Sequence, residues 1–185
     1  MTKSEINFFE IERAGISTTF QDNGRKNLNH IGIPISGAMD RRNYILANAM
    51  LKKDLNSAVI EFAYQGPLLK YSGAKMFIAI TGDVQFQIIK NNKNLINGEP
   101  YKVYLIENQD QIDIQSTNKS VYGYLSISEK FVLDKTWDSV STNTKGKIGS
   151  NNGEKISNKQ KFNIDHNNKN VSLSKLNYIN SKIEY

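Results

Sequence analysis

The sequence contains no cysteine. This absence excludes disulfide bonds, catalysis by a thiolate and zinc sites built on thiolates. Histidine is also scarce, with two residues among 185. No Ser-His-Asp set or His-rich metal spacing can be assembled from His30 and His166, so we expect no metal site of the usual kind. His30 precedes a turn-rich loop, where a lone histidine is able to serve as a general base.

Long apolar runs are missing as well. The first ten residues have no apolar segment of the kind found in signal peptides, and no run approaches membrane-spanning length. We therefore expect a cytoplasmic protein with no membrane partner. The chain also lacks a glycine-rich loop that ends in Lys-Ser or Lys-Thr, so a nucleotide would not be held by a P-loop.

Charge of one sign is not concentrated anywhere in the chain. The formal net charge is +6, but the lysines are scattered among asparagine and serine, as in 90–94 and 167–170. A nucleic-acid surface needs basic residues clustered on one face, and no such cluster is present. We expect a small-molecule substrate and no nucleic-acid partner.

Short strands dominate what is present. Apolar and β-branched runs recur at roughly ten-residue spacing between Gly, Asn and Pro turns, which is typical of a β sandwich or barrel. The clearest strands are 75–81, bounded by Gly73 and Gly82, and the alternating segment 84–89. The sequence predicts a mainly β protein with a closed or barrel-like arrangement.

One loop and one helix interrupt the strands. Gly32-Ile-Pro-Ile-Ser-Gly-Ala-Met-Asp40 is rich in turn residues, and the apolar spacing after it predicts a helix over about 40–51. Asp40 is a plausible N-cap. Ser36 and Gly37 are positioned to bring backbone N–H groups to an anion at the helix start, although the Asp40 carboxylate would compete with that anion. Both interpretations stay open.

A tight turn at 21–25 carries the next candidates. Gln21, Asp22 and Arg25 either satisfy each other in a structural turn with an Asp–Arg ion pair, or Arg25 or Gln21 reaches a carboxylate or amide ligand. The residues alone favour the structural interpretation.

Two further candidates lie in or after strands. Glu61 stands in the apolar segment Ile60-Glu-Phe62, where it faces either solvent or the interior. In the interior it would be a buried carboxylate that needs a partner, and thus a site residue. Thr81 and Gly82 end the most buried strand, where polar residues often line a pocket, but a hairpin turn explains them equally well.

The composition changes along the chain and suggests three parts. Residues 1–127 form the strand-rich core, 128–164 form a loop-rich extension of the same domain, and 165–185 form a polar tail. Within the extension, 138–161 is rich in Ser, Thr, Asn, Lys and Gly, which predicts a surface loop or a mobile segment, and 162–164 is a candidate last strand.

Seven short motifs follow one another along the first half of the chain: Arg13-Ala-Gly15, Thr19-Phe-Gln-Asp-Asn-Gly-Arg25, the loop 32–40, Ala47-Asn48, Ala58-Val-Ile-Glu61, Gly66-Pro67 and Thr81-Gly82. In this order and spacing they resemble the biotin-dependent carboxyltransferase / allophanate hydrolase subunit 2 family, which includes the C subunits of 5-oxoprolinases. The resemblance is strong over 10–83 and weak to about 164. Two departures accompany it: Ser128-Glu-Lys-Phe131 replaces a Gly-rich apolar stretch of the family, and the chain resembles only the N-terminal half of longer members.

The resemblance implies a cyclophilin-like β-barrel and a subunit of an ATP-dependent 5-oxoprolinase, which converts 5-oxo-L-proline to L-glutamate. A sister subunit of related fold and a LamB/YcsF-type subunit would be its partners, and ATP would be used by the complex. The alternatives are a biotin-dependent carboxyltransferase of the urea amidolyase kind, or a non-catalytic protein that binds a kinase-inhibitor-like partner. In the oxoprolinase interpretation Arg25 would clamp a carboxylate or phosphoryl oxygen and Gly37 would offer backbone N–H groups.

The implied substrate-binding residues all lie in the first half of the chain. No catalytic residue is assigned among them. The candidates are Gln21, Asp22, Arg25, Ser36, Gly37, Asp40, Asn48, Glu61, Thr81 and Gly82.

Overall fold

The computed structural model describes residues 7–166, which contain twelve strands and one α-helix. Short 3-10 turns occur at Asn29–Ile31 and Asn151–Gly153. The helix α1 is Arg41–Met50. The strands are β1 Asn7–Arg13, β2 Ser17–Gln21, β3 Val59–Ala63, β4 Leu68–Ser72, β5 Met76–Thr81, β6 Val84–Ile89, β7 Leu95–Gly98, β8 Val103–Ile106, β9 Gln111–Thr117, β10 Tyr122–Ile127, β11 Lys130–Phe131 and β12 Lys161–Asp165.

The strands form two antiparallel sheets. The larger has the order β11-β12-β1-β4-β9-β6-β7, and the smaller has the order β2-β3-β10-β5-β8. The prediction of a mainly β protein with one prominent helix is confirmed. The pairings among residues 7–166 give two sheets, and the cyclophilin-like barrel stays a prediction.

The main core lies between the two sheets. Strand alternation supplies it: Phe9 and Ile11 of β1 are buried, as are Ile60 and Phe62 of β3, and they belong to one apolar cluster. Each such side chain contributes about 1.5–3 kcal/mol on burial, so this cluster is the main stabilising feature of the fold. Residues at odd positions of β3, such as Glu61, therefore point away from this core.

The helix α1 covers the other face of the smaller sheet. The Asp40 carboxylate accepts a hydrogen bond from the Asn43 N–H at 3.1 Å and caps the helix, as the sequence predicted. Tyr44 and Ala47 then pack against Val59 and Tyr124 of the sheet. The smaller sheet is thus covered on both faces, and the helix-facing side is where the polar candidates lie. Among the described residues no helix is long and apolar enough to cross a membrane.

The extension agrees with its prediction only in part. Residues 138–160 form an irregular segment that is largely exposed or half-buried, as expected of a surface loop, but Ser139, Val140, Ser141, Thr142 and Ser150 are buried. Their hydrogen bonds, rather than apolar contacts, hold them, and this is why a polar composition was mistaken for exposure. The last strand was predicted correctly: β12 pairs with β1. The predicted polar tail from 167 onward lies outside the described residues.

Candidate functional site

A row of polar side chains crosses the helix-facing side of the smaller sheet. Thr19 of β2 stands opposite Glu61 of β3, Glu61 opposite Tyr124 of β10, and Tyr124 opposite Thr81 of β5. Side chains that are directly opposite on one face lie close enough to interact. All four are buried, but Thr19 and Glu61, at 8% and 7% exposure, keep slight access to solvent. We call Thr19, Glu61, Tyr124 and Thr81 the polar row.

The end of the loop 32–40 closes over Glu61. The Met39 N–H donates to Glu61 Oε2 at 2.8 Å, and the Tyr124 hydroxyl donates to the same oxygen at 2.8 Å. The Asp40 N–H donates in turn to the Tyr124 oxygen at 2.6 Å. Two of these three bonds come from backbone N–H groups at the helix start, so the chain that begins α1 also covers the carboxyl group.

The environment of Glu61 favours its protonated form. Burial is the main cause that raises the pKa of Glu61, and the nearby Asp40 carboxylate raises it further, whereas the hydrogen bonds from Met39 and Tyr124 lower it. Burial, followed by the charge of Glu61, likewise raises the pKa of Tyr124. A carboxyl group with a raised pKa, next to a neutral phenol, is suited to exchanging a proton with a ligand.

Glu61 therefore faces neither open solvent nor the core between the sheets, the two environments that the sequence allowed. It points away from the core between the sheets, yet the loop and α1 bury it. Its hydrogen bonds from residues 7–166 go to Oε2. Oε1 takes no donor among these residues, and this oxygen is the one available to a ligand.

Gln21 extends the polar row towards the buried part of the extension. Its Nε2 donates to Thr19 Oγ1 at 2.9 Å and to the Thr142 carbonyl at 3.0 Å. Its Oε1 is fully buried and has no partner among residues 7–166. A buried amide oxygen without a donor is costly, so a donor from a ligand would satisfy it. Ser36, in the loop, accepts a bond from Asn143 Nδ2 at 3.3 Å.

Asp22 holds three segments together. Its carboxylate accepts from the Gly24 N–H, the Ser139 hydroxyl, the Val140 N–H and the Ser141 hydroxyl, at 2.5–2.8 Å. Its carbonyl accepts from the Ala38 N–H at 3.1 Å. Both carboxylate oxygens are engaged, so this residue anchors the extension and the loop to the end of β2.

Arg25 is the second anchor. It is 1% exposed, and it donates from Nε to the Thr136 carbonyl at 3.2 Å and from Nη2 to the Ser141 carbonyl at 2.7 Å. This placement favours the structural interpretation of the turn at 21–25. The expected Asp–Arg ion pair is absent from the ion pairs between described residues, and Nε and Nη2 of Arg25 bind backbone carbonyls instead.

The other candidates have structural partners. Asn48 is fully buried, accepts from the Ser126 hydroxyl at 2.7 Å and donates to the Ser57 carbonyl at 2.9 Å. The Thr81 hydroxyl donates to the Asn43 carbonyl at 2.7 Å, which ties β5 to α1. Gly82 turns the chain into β6 with φ of +102°. Gly37 has φ of +92°, and a Cβ there would lie 3.1 Å from the backbone of Asn23 and Gly24.

Sequence reasoning missed Thr19, Tyr124, Thr142 and Asn143 as neighbours of the candidates. Thr19 lies inside a motif of the resemblance, so that motif was the available signal. Tyr124 comes from a strand 63 residues after Glu61, and only the pairing of β3 with β10 brings them together. His30 lies exposed on the 3-10 turn. Among residues 7–166 no three His, Cys, Asp or Glu side chains are grouped to hold a metal ion.

Comparison with known proteins assigns the family. The profile described as carboxyltransferase domain, subdomain A and B, matches residues 31–183, which is well over half of the chain. The chain is 30% identical to urea amidolyase of Lachancea kluyveri over 146 residues, 78% of this chain and 8% of that protein. It is 28% identical to the 5-oxoprolinase C subunit of Haemophilus influenzae over 131 residues, 71% of this chain and 41% of that protein.

Solved structures agree with this assignment. The urea amidolyase of K. lactis has a TM-score of 0.79 and 25% identity, over 88% of this chain and 10% of that chain. The protein TTHA0988, with a TM-score of 0.75 and 20% identity over 89% of this chain and 32% of that one, shares the fold. The chain spans less than half the length of each of these relatives. On the match of its residues 31–183, the chain belongs to the carboxyltransferase domain (subdomain A and B) family.

Proposed function

We propose that the chain is a subunit of an ATP-dependent 5-oxoprolinase and that Glu61 is the group that exchanges protons with the lactam substrate. The observation that carries the proposal is the Glu61 carboxyl group, which is buried beside Tyr124 and has a raised pKa and one oxygen without a donor among residues 7–166. The 5-oxoprolinase C subunit of H. influenzae is similar over 71% of the chain, and its name supports the substrate.

The chemistry requires a proton acceptor and a proton donor at one place. ATP would phosphorylate the lactam oxygen and release ADP, which opens the ring carbon to attack by water. Water attacks this carbon and gives a proton to Glu61, and Glu61 passes the proton to the ring nitrogen as the C–N bond breaks. The ring-opened product is an acyl phosphate, whose phosphate leaves when a second water hydrolyses it to glutamate. The Gly37 N–H, which has no acceptor among residues 7–166, is a donor for the developing negative charge.

Tyr124 and Gln21 have supporting roles in this proposal. The Tyr124 hydroxyl fixes the rotamer of Glu61 through the 2.8 Å bond to Oε2 and leaves Oε1 directed to the ligand. The free Gln21 Oε1 would accept the lactam N–H and orient the ring. Sister subunits, among them a LamB/YcsF-type subunit, would complete the active complex.

The test is 5-oxoproline-dependent ATP hydrolysis by the chain co-expressed with its sister subunits. We expect Glu61→Gln to lower the rate at least about 100-fold, the loss typical of removing a general acid–base group. Glu12→Gln, which changes an exposed carboxylate of β1, is the matched control and should retain the rate. A full rate in Glu61→Gln, or the same rate when the chain is omitted, would contradict the proposal.

Carboxyl transfer to urea is the second candidate function. It is favoured by the two urea amidolyases of yeasts that are 30% identical over 78% of the chain. In this case carboxybiotin on a separate carrier domain would be the carboxyl donor. Glu61 would take the proton from the accepting amide nitrogen and return it to the biotin ring nitrogen that is released. Consumption of carboxybiotin that depends on urea and on this chain would support it, whereas 5-oxoproline-dependent ATP hydrolysis would favour the first proposal.

A further inference from the structure

A groove of about 640 Å³ lies apart from the polar row. It is formed where β2 ends and β3 begins, and its apolar wall includes Phe131, Leu133 and Val140. Its volume is in the range of small-molecule sites, about 300–1,000 Å³. Glu61, Tyr124, Ser36 and Gly37 are not among the residues that line it.

Four lysines line this groove: Lys26, Lys53, Lys130 and Lys135. Three carboxylates also line it, but Asp22 is saturated by hydrogen bonds, which leaves Asp54 and Asp138. Lys53 is held in place because its Nζ donates to the Ile127 and Glu129 carbonyls at 2.6 and 2.8 Å. Burial lowers the pKa of Lys53 to about 8, so it still carries its charge at neutral pH.

The turn that carries Trp137 at the rim of the groove is strained. Thr136 and Ser139 exchange two backbone hydrogen bonds, at 2.9 and 3.3 Å, around a two-residue turn. Trp137 and Asp138 have φ of +49° and +61°, values that bulky residues seldom adopt.

Both anchors of the candidate site hold this turn. Arg25 Nε donates to the Thr136 carbonyl, and the Ser139 hydroxyl donates to Asp22 at 2.7 Å. They stabilise a conformation that keeps the indole of Trp137 at the groove, with 49% of its surface exposed. Strain that the surroundings maintain is typical of ligand-binding segments.

We propose that this groove binds a nucleoside phosphate, with the base stacked on Trp137 and the phosphates paired with the lysines. An exposed indole offers a planar face for stacking, and lysine ammonium groups bind phosphate as point charges. The proposal uses none of the polar row and holds whether or not the chain is an oxoprolinase subunit.

The test uses the full chain and the fluorescence of Trp137, its single tryptophan. ATP should quench this fluorescence with a saturable curve. Adenosine, which lacks the phosphates, and tripolyphosphate, which lacks the base, should each bind at least tenfold more weakly than ATP. By calorimetry, Trp137→Ala should weaken ATP binding at least tenfold, whereas Trp137→Phe, which keeps a stacking ring, should stay within a few-fold.

Charge variants complete the test. Lys26→Gln and Lys135→Gln should each weaken binding several-fold and reduce its salt dependence, and Asp138→Asn should tighten it. Lys119→Gln removes the same charge from an exposed turn outside the groove and should have no effect. The proposal is overturned if millimolar ATP gives no heat of binding, if Trp137→Phe fails to bind while its melting temperature is unchanged, or if Lys119→Gln weakens binding as much as Lys135→Gln does.

Discussion

Asp22, which directly follows β2, and Glu61 of β3 are two buried carboxylates whose surroundings differ. Among the described residues, the Asp22 carboxylate receives four hydrogen bonds distributed over both of its oxygens, from its own turn and from residues 139–141. Glu61 receives two, both on Oε2. A carboxylate with every oxygen engaged is an anchor, whereas one with a free oxygen and a raised pKa retains chemistry for a ligand. Removing the Asp22 carboxylate should therefore mainly lower the stability of the fold, whereas removing the Glu61 carboxylate should mainly lower the activity.

The largest effect on stability is expected for Asp22→Ala. The change leaves the hydroxyls of Ser139 and Ser141 and the N–H of Val140 buried without their acceptor, so the free energy of unfolding should fall by about 3–5 kcal/mol. Urea denaturation measures this. Asp83→Ala is the matched control. Like Asp22, Asp83 accepts hydrogen bonds from a side chain and from the backbone, those of Asn118 and the Lys119 N–H, but it lies in a more exposed turn. An equal loss in both variants would show that Asp22 is no special anchor.

Gly37→Ala should have the next largest effect, because it displaces the loop that joins the two carboxylates. A Cβ at φ of +92° would lie 3.1 Å from rigid backbone atoms of the 21–25 turn, and we expect a loss of about 2–3 kcal/mol. Gly32→Ala is the matched control, since Gly32 has φ of +79° but no atom within 4 Å of its Cβ position. It should cost about 1–2 kcal/mol from the backbone alone. Equal losses would show that the close approach at Gly37 has no cost.

Tyr124→Phe should affect Glu61 more than it affects the fold. The variant removes the donor to Glu61 Oε2 and the acceptor of the Asp40 N–H, so thermal or urea denaturation should show a loss of about 1 kcal/mol. The pKa of Glu61 should rise further, because a hydrogen bond to its charged form is lost. A fall of this pKa in the variant would contradict the role assigned to the hydroxyl.

The smallest expected effect is a pH dependence of stability. The folded protein holds the Glu61 proton more tightly than the unfolded chain does, since the pKa of Glu61 is raised in the fold. The wild type should therefore lose stability relative to Glu61→Gln as the pH rises from the ordinary glutamate pKa through the raised value. Urea denaturation of both proteins from about pH 4 to about pH 8 measures this difference. A difference that is constant or grows in favour of the wild type would contradict the burial argument.

Local features of the fold were predictable from the sequence. The helix with its cap at Asp40 follows from residues that are neighbours in the chain, and the tight turn at 21–25 follows from Asp22, Asn23 and Gly24. The strands 75–81 and 84–89 were recognisable because their apolar pattern is strong and their ends carry turn residues.

The assembly of the candidate site was not predictable in the same way. The polar row depends on the registers of β2, β3, β10 and β5, which are set by packing between segments far apart in the chain. The burial of Ser139 and Ser141 was hidden because hydrogen bonds to Asp22 and from Arg25, not apolar side chains, hold them in place. Predicting the surroundings of Glu61 would have required both the strand registers and the burial of Ser139 and Ser141.

Titration of Glu61 by carboxyl-carbon NMR tests the central claim most directly. The resonance is assigned by its loss in Glu61→Gln, and its shift is followed with pH in the full chain. We expect the Glu61 pKa to lie above the ordinary value of a glutamate, because burial outweighs the two hydrogen bonds to Oε2. A pKa at or below the ordinary value would mean that Glu61 is an anchor like Asp22, and it would contradict the proposed role in proton exchange.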